Sequence, residues 1–297
     1  MQSQNRYFHL YSDVIFPSKR QDKGVPTVYE QAEALGGKFT RIVKGLPRNN
    51  VANFSPSIVS RLGKTYIAWR SQPEAFGSRY ANKYFSNPKK LFSQPKVVVC
   101  WINDHFEAVS AAIPPIGKNH VVGAPEKNWA FFAANDELNC LYSTRPLVVE
   151  RETGPSIELD TKVLDKATRG APTFNSTAPV DLGYCYLVFY HWKHMTCTEE
   201  GKPYLIYHVG AYLVDKKFKE ITYLTEEPLF TGSLNDRVIE WTDVMGNVVS
   251  NQPAVILPFG ALLEGDELVM SLGVNDAFMG IFRTKLENIM RRMKKAD

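Results

Sequence analysis

The feature that most constrains the fold is a recurring unit: a turn, then a short apolar and aromatic run, then a polar or aromatic residue at its end. The unit spans Leu62 to Arg70, Asn135 to Ser143, Leu182 to His191 and Glu264 to Leu272. Other apolar runs, at Lys96 to Ile102, Tyr204 to Val214, Ile221 to Leu224 and Val255 to Leu257, are separated by Gly, Asp, Asn or Pro clusters. Alternation with a period of two sends successive side chains to opposite faces, and Tyr, Phe, Val and Ile suit a pleated surface, so these runs predict strands. Strands dominate from Asn53 onward and predict an all-β fold. Repeated β-units of this kind predict a five-bladed β-propeller, because about five blades of roughly 50 to 60 residues, with about four strands each, fill the chain. A β-sandwich of similar strand count is the alternative.

The two ends read differently. Thr27 to Leu35, closed by Gly36-Gly37, predicts a short helix within an N-terminal extension (residues 1–52) that packs on the domain. Residues 53–297 are expected to form the propeller, and no linker divides the chain, so a single domain is expected. From Thr284 to Lys295 the period changes: Leu286, Ile289, Met290 and Met293 fall on one helical face, and Thr284 with Glu287 has capping-box spacing. A C-terminal helix packed on the outside of the last blade is predicted.

Charge and cysteine usage exclude several classes. The chain carries 35 basic against 31 acidic residues, and Arg291, Arg292, Lys294 and Lys295 match the whole excess, so no basic surface for nucleic acid is indicated. The apolar runs stop well short of the ~20 residues a membrane span needs. The opening Met1-Gln2-Ser3-Gln4-Asn5 has neither the cationic start nor the apolar stretch of a signal peptide, and a cytoplasmic location is expected. Cys100, Cys140, Cys185 and Cys197 are far apart and lack metal spacing, and the first three lie in predicted strands as reduced core residues. His191, His194 and Cys197 lack a fourth ligand, so neither metal nor cofactor is expected. There is no Gly-rich phosphate loop before a helix and no serine nucleophile elbow.

The chemistry-bearing segment is Pro125-Glu126-Lys127-Asn128-Trp129. An indole stacks on the apolar face of a pyranose, while Glu, Lys and Asn supply directional hydrogen bonds to hydroxyls, or charge for an anionic group. The structural alternative is a solvated loop anchored by Trp129. Further motifs are Asn53-Phe54-Ser55-Pro56-Ser57-Ile58 with Trp69-Arg70, Arg169-Gly170-Ala171-Pro172, Phe189-Tyr190-His191-Trp192, Tyr207 to Asp215, Glu240-Trp241 and Leu257 to Ala261. His194 and His208 are assigned to backbone partners.

In order and surroundings these motifs resemble the mannoside phosphorylases of glycoside hydrolase family 130 and related mannosyltransferases, from about Asn53 to Arg283. The resemblance implies a five-bladed propeller in which phosphate attacks a β-mannosidic bond with inversion. It implies that Arg70, Lys127 and His191 hold an anion, and that Glu240 and Asp276 lie near the sugar-binding end. Asn128, Trp129, Arg169 and Tyr207 complete the expected substrate-binding set. The residue chemistry agrees, since Arg offers a planar fork, Lys a point charge and His a donor that titrates near neutrality. The expected partners are a carbohydrate substrate, a phosphate or sugar-phosphate donor and a second copy of the chain in a homo-oligomer.

One departure matters. The family's proton donor is the Asp of a Glu-Asp-Pro-Arg motif, which this chain does not contain. Glu126 and Asp104 are the carboxyl groups that stand in as candidate acids, a task that requires a proton retained near neutral pH. A non-catalytic glycan or sugar-phosphate binder is the alternative function.

Overall fold

The computed structural model describes residues 24–41, 57–61, 64–71, 96–102, 108–112, 128–197, 201, 203–236, 240–242, 248–250, 254–275 and 278–296. They are mostly β-strand, arranged in antiparallel sheets that follow one another along the chain. The first sheet holds β2 (Ser57–Arg61), β3 (Lys64–Ser71), β4 (Lys96–Ile102) and β5 (Ala108–Ala112) in that order. The second holds β6 (Ala130–Ala134), β7 (Glu137–Thr144), β8 (Leu147–Arg151) and β9 (Ile157–Leu159). Asn135 and Asp136, both at positive φ, make the two-residue turn between β6 and β7, a geometry that suits the right-handed twist of a hairpin.

The third sheet is built on a long hairpin, β12 (Cys185–Cys197) with β13 (Pro203–Asp215), paired without a break from Cys185↔Asp215 to Cys197↔Pro203. β10 (Thr173–Asn175) and β11 (Val180–Asp181) flank β12, and β14 (Ile221–Thr225) and β15 (Phe230–Thr231) flank β13. The strict alternation of this hairpin decides its packing. Leu187, Phe189, Val209 and Ala211 face one core, while Tyr186, Val188, Tyr190, Trp192 and Tyr212 face another, so both faces are covered. β16 (Glu240–Thr242) pairs with β17 (Val248–Ser250).

The last sheet joins the two ends of the chain. β18 (Ile256–Glu264), β19 (Glu267–Val274) and β20 (Phe278–Lys285) form a meander, and β1 (Lys38–Arg41) adds to the edge of β20. Gly280 permits that closure, because a Cβ there would lie 2.2 Å from the Phe39 ring and 2.7 Å from the Thr40 carbonyl oxygen. Ahead of β1, helix α1 (Val28–Ala34) has the expected N-terminus: Thr27 and Glu30 form a capping box, and Gly36 at φ +64° follows the helix. Val28 and Ala32 are fully buried in the same core as Phe282 and Ile289.

A network of polar contacts docks this N-terminal segment. The Gln31 side chain accepts from Thr231 N–H at 2.7 Å and donates to Thr231 C=O at 2.8 Å, as a strand edge would. Ser233 Oγ and Asn235 Nδ2 both donate to Val25 C=O at 2.8 Å. Asp236, only 4% exposed, accepts from Val28 N–H with both oxygens, at 3.1 and 3.2 Å. Burial pushes its carboxyl up from the ordinary 3.8 to about 6, Glu30 pushes the same way, and the Val28 amide opposes both.

The C-terminal reading needs correction. Helix α3 spans only Leu286–Met290, and β21 (Met293–Lys295) then pairs with β14. No capping box forms: Lys285 occupies the cap position without a side-chain bond, and Thr284 Oγ1 donates instead to Leu35 C=O at 3.0 Å. Pairing with the otherwise open edge of β14 satisfies the terminal backbone, and Met293 still reaches the core. The sequence pattern also gave no sign of α2 (Val163–Thr168), a short helix between the second and third sheets. Among the described residues, no helix is long and apolar enough to cross a membrane.

Candidate functional site

The chemistry that the structure assembles lies at one end of the β12–β13 hairpin. Register pairs Phe174 of β10 with His191 of β12, and Lys193 of β12 with Tyr207 of β13. Residues 191 and 193 are two apart, so both side chains leave the same face of the strand. The His191 ring stacks on Phe174 at a centroid distance of 5.3 Å and on Tyr207 at 6.1 Å, with interplanar angles of 23° and 18°. Lys193 Nζ lies 5.7 Å from the Phe174 centroid and 5.6 Å from that of Tyr207. His191 Nδ1 shares a 2.8 Å hydrogen bond with Ser176 Oγ, which fixes the ring's orientation. This face therefore holds a buried imidazole, 6% exposed, flanked by the half-buried Phe174 and Tyr207 rings, with a half-buried ammonium over both rings. Burial pushes the Lys193 ammonium below its ordinary range.

On the opposite face two more histidines interact. His208 Nε2 and His194 Nδ1 are 3.0 Å apart in a hydrogen bond, and His208 Nδ1 lies 3.0 Å from Thr231 Oγ1. These are side-chain partners, where the sequence reading assigned backbone ones. Trp192 stacks on His208 at 5.1 Å and on Tyr190 at 5.5 Å, and is 4% exposed. The Tyr190 and Tyr212 hydroxyls, both fully buried, have no hydrogen-bond partner among the described residues. Burial raises both phenols well above their ordinary range.

The other sequence-predicted residues are placed as follows. Trp129 is 6% exposed and packs against Phe131 at 6.1 Å and Tyr142 at 5.2 Å, which is the placement of a core anchor. Asn128 before it is half-buried at φ +61°. Arg169 is exposed in the left-handed conformation that ends α2, with its backbone N–H on Asp165 C=O. Arg70 lies on β3 opposite Val97, and Glu240 on β16 opposite Ser250. Asp104, Glu126, Lys127 and Asp276 lie outside the described residues. Asn275, next to Asp276, is buried and ties three segments together: Oδ1 accepts from Val255 N–H at 3.0 Å, while Nδ2 donates to Asp236 C=O at 3.2 Å and to Ser233 C=O at 3.4 Å.

Thus His191 and Tyr207 are the predicted residues brought together within the described structure. Phe174, Ser176 and Lys193 join them although the sequence reading did not select them. The period-two spacing of His191 and Lys193 was the available signal; Phe174 and Ser176 needed the strand register. Cys140 and Cys185 are buried and Cys197 is exposed. Among the described residues no cluster of three or more His, Cys, Asp or Glu could hold a metal.

A comparison with curated proteins found no match. Among solved structures, a β-1,2-mannobiose phosphorylase from Listeria innocua is 18% identical with a TM-score of 0.48, over 80% of this chain and 59% of that one. The chain thus spans 59% of the length of that enzyme. A mannose phosphorylase from Leishmania mexicana, in complex with phosphate ion, is 9% identical over 88% of this chain and 78% of that one, with a TM-score of 0.45. A member of a family of mannoside phosphorylases that contains glycoside hydrolases targeting β-1,2 mannosidic linkages in Candida mannan is 11% identical over 88% and 96%, with a TM-score of 0.47. A family model described as beta-1,4-mannooligosaccharide phosphorylase matches residues 173–295. From Thr173 to Lys295 this chain resembles the sugar-transforming enzymes of glycoside hydrolase family 130.

Proposed function

We propose that this chain is a glycosyl-transferring enzyme that resembles inverting β-mannoside phosphorylases, with a cationic pocket for phosphate or the phosphates of a sugar nucleotide. The observation that carries the reading is the family match over residues 173–295, which contains the whole His191, Tyr207 and Phe174 stack. Among the described residues, five antiparallel sheets in chain order, with an N-terminal strand added to the last, support a five-bladed propeller over residues 53–297 that the extension 1–52 closes. In such a fold the pocket would collect Arg70, Lys127, Arg169, His191 and Asp276 from different blades. Arg70, Lys127 and His191 would hold the anion through charge-assisted hydrogen bonds. Because Trp129 and Trp192 are buried, Tyr207 and Phe174 are the rings of this region better able to meet a sugar. Glu126 or Asp104 would deliver the proton to the leaving group.

The test is incubation with inorganic phosphate and a panel of β-mannosides, and separately with sugar nucleotides and simple sugar acceptors, reading released sugar phosphate or nucleoside diphosphate. Turnover in either arm is expected. The missing Glu-Asp-Pro-Arg motif favours one second reading, a propeller that binds a glycan or sugar phosphate without transforming it. Ligand binding without turnover in any arm would establish that reading and overturn the first.

A further inference from the structure

The structure shows a cation that the family resemblance did not assign. Lys193 is half-buried, lies over two aromatic rings and has no carboxylate partner among the described residues. Ring quadrupoles attract an ammonium, but they do not replace a counter-ion. Side chains two apart on one strand face are about 7 Å apart, a separation that one tetrahedral oxyanion can bridge with different oxygens. We infer that Lys193 is a second cationic ligand, beside His191, for a phosphate or phosphoryl group bound at the Phe174 and Tyr207 face. This rests on the carbohydrate–phosphate reading of the same site. His191, buried and oriented by Ser176, would meet the anion from one side and the Lys193 ammonium from the other.

A consequence distinguishes ligand from bystander. Burial favours the neutral amine of Lys193, and a bound anion favours the ammonium, so anion binding takes up a proton at this residue wherever the free protein holds part of it as the amine. Isothermal calorimetry in two buffers of different ionisation enthalpy measures that uptake directly.

The experiment titrates inorganic phosphate and mannose 1-phosphate into wild type, Lys193→Met and Lys193→Arg over a pH series from neutral to alkaline. Lys193→Met keeps the aliphatic stem and is expected to weaken both anions about ten- to hundredfold and to abolish proton uptake. Lys193→Arg, which does not titrate, is expected to hold phosphate with an affinity that falls less steeply with pH than that of wild type. Wild-type affinity in Lys193→Met overturns the assignment. If Lys193→Met does not fold, a parallel fall of affinity with pH in wild type and Lys193→Arg overturns it equally. Absence of turnover on every substrate, with these differences intact, rejects the enzymatic reading and leaves the anion site standing.

Discussion

Replacing Asp236 with Asn tests whether a buried carboxyl makes the docking of the N-terminal segment sensitive to pH. The side chain faces the first amide of α1 and is 4% exposed, and burial is the largest cause that lifts its pKa from 3.8 to about 6. A carboxyl that holds its proton more tightly when folded than when unfolded contributes stability that is fully present below about pH 4. That contribution is lost as pH rises through about 6. A difference of about two pKa units corresponds to about 3 kcal/mol. Asp236→Asn keeps one oxygen for the Val28 N–H but cannot ionise. Near pH 4 the two proteins should therefore be similarly stable, and above pH 6 the variant should be the more stable by up to ~3 kcal/mol. Urea denaturation at half-unit intervals from pH 4 to 8 measures the difference, and common titrations elsewhere cancel in it. A variant that loses ground as pH rises would show that the folded state stabilises the Asp236 carboxylate, and a difference that does not change with pH would show a carboxyl whose pKa folding leaves unshifted; either result refutes this account.

Tyr190→Phe removes a buried hydroxyl without a partner among the described residues, so it should leave stability unchanged or raise it by ~1 kcal/mol; a comparable loss in urea denaturation would reveal a partner. Gly280→Ala places a methyl group 2.2 Å from the Phe39 ring and should cost ~1 to 3 kcal/mol while exposing the N-terminal segment to limited proteolysis. Unchanged cleavage there would mean that β1 does not depend on this close approach. Glu126→Gln and Asp104→Asn should separate the proton donor from a binding group, since loss of a positioned acid lowers turnover ~10² to 10⁴-fold with ligand affinity retained. If both variants turn over at the wild-type rate, the acid is another carboxyl, with Glu240 the next to replace.

The sequence showed strand content far better than strand limits. Tyr184 to Tyr190 reads as a strand because it is a continuous apolar and aromatic run bounded by a turn, yet β12 continues through Trp192, His194 and Cys197, where polar and charged residues interrupt the apolar signal. Cross-strand pairing with the whole of β13 maintains that extension, and pairing is a tertiary property. The same limit explains the C-terminus: Leu286, Ile289, Met290 and Met293 do follow a helical period, but the open edge of β14 captures Met293–Lys295 as a strand. At the site, His191 was selected from the family resemblance, with Trp192 and Lys193 beside it in support. Lys193 itself was not selected as a ligand. Only the register, which sets it opposite Tyr207 and diagonal to Phe174, shows that it is half-buried among rings on the same face as the histidine. An isolated residue type therefore carried less information than a pair at period two. The spacing of His191 and Lys193 is legible in the chain itself, and the same alternation assigns Trp192 and His194 to the opposite face, where His208 meets both and is itself bonded to Thr231.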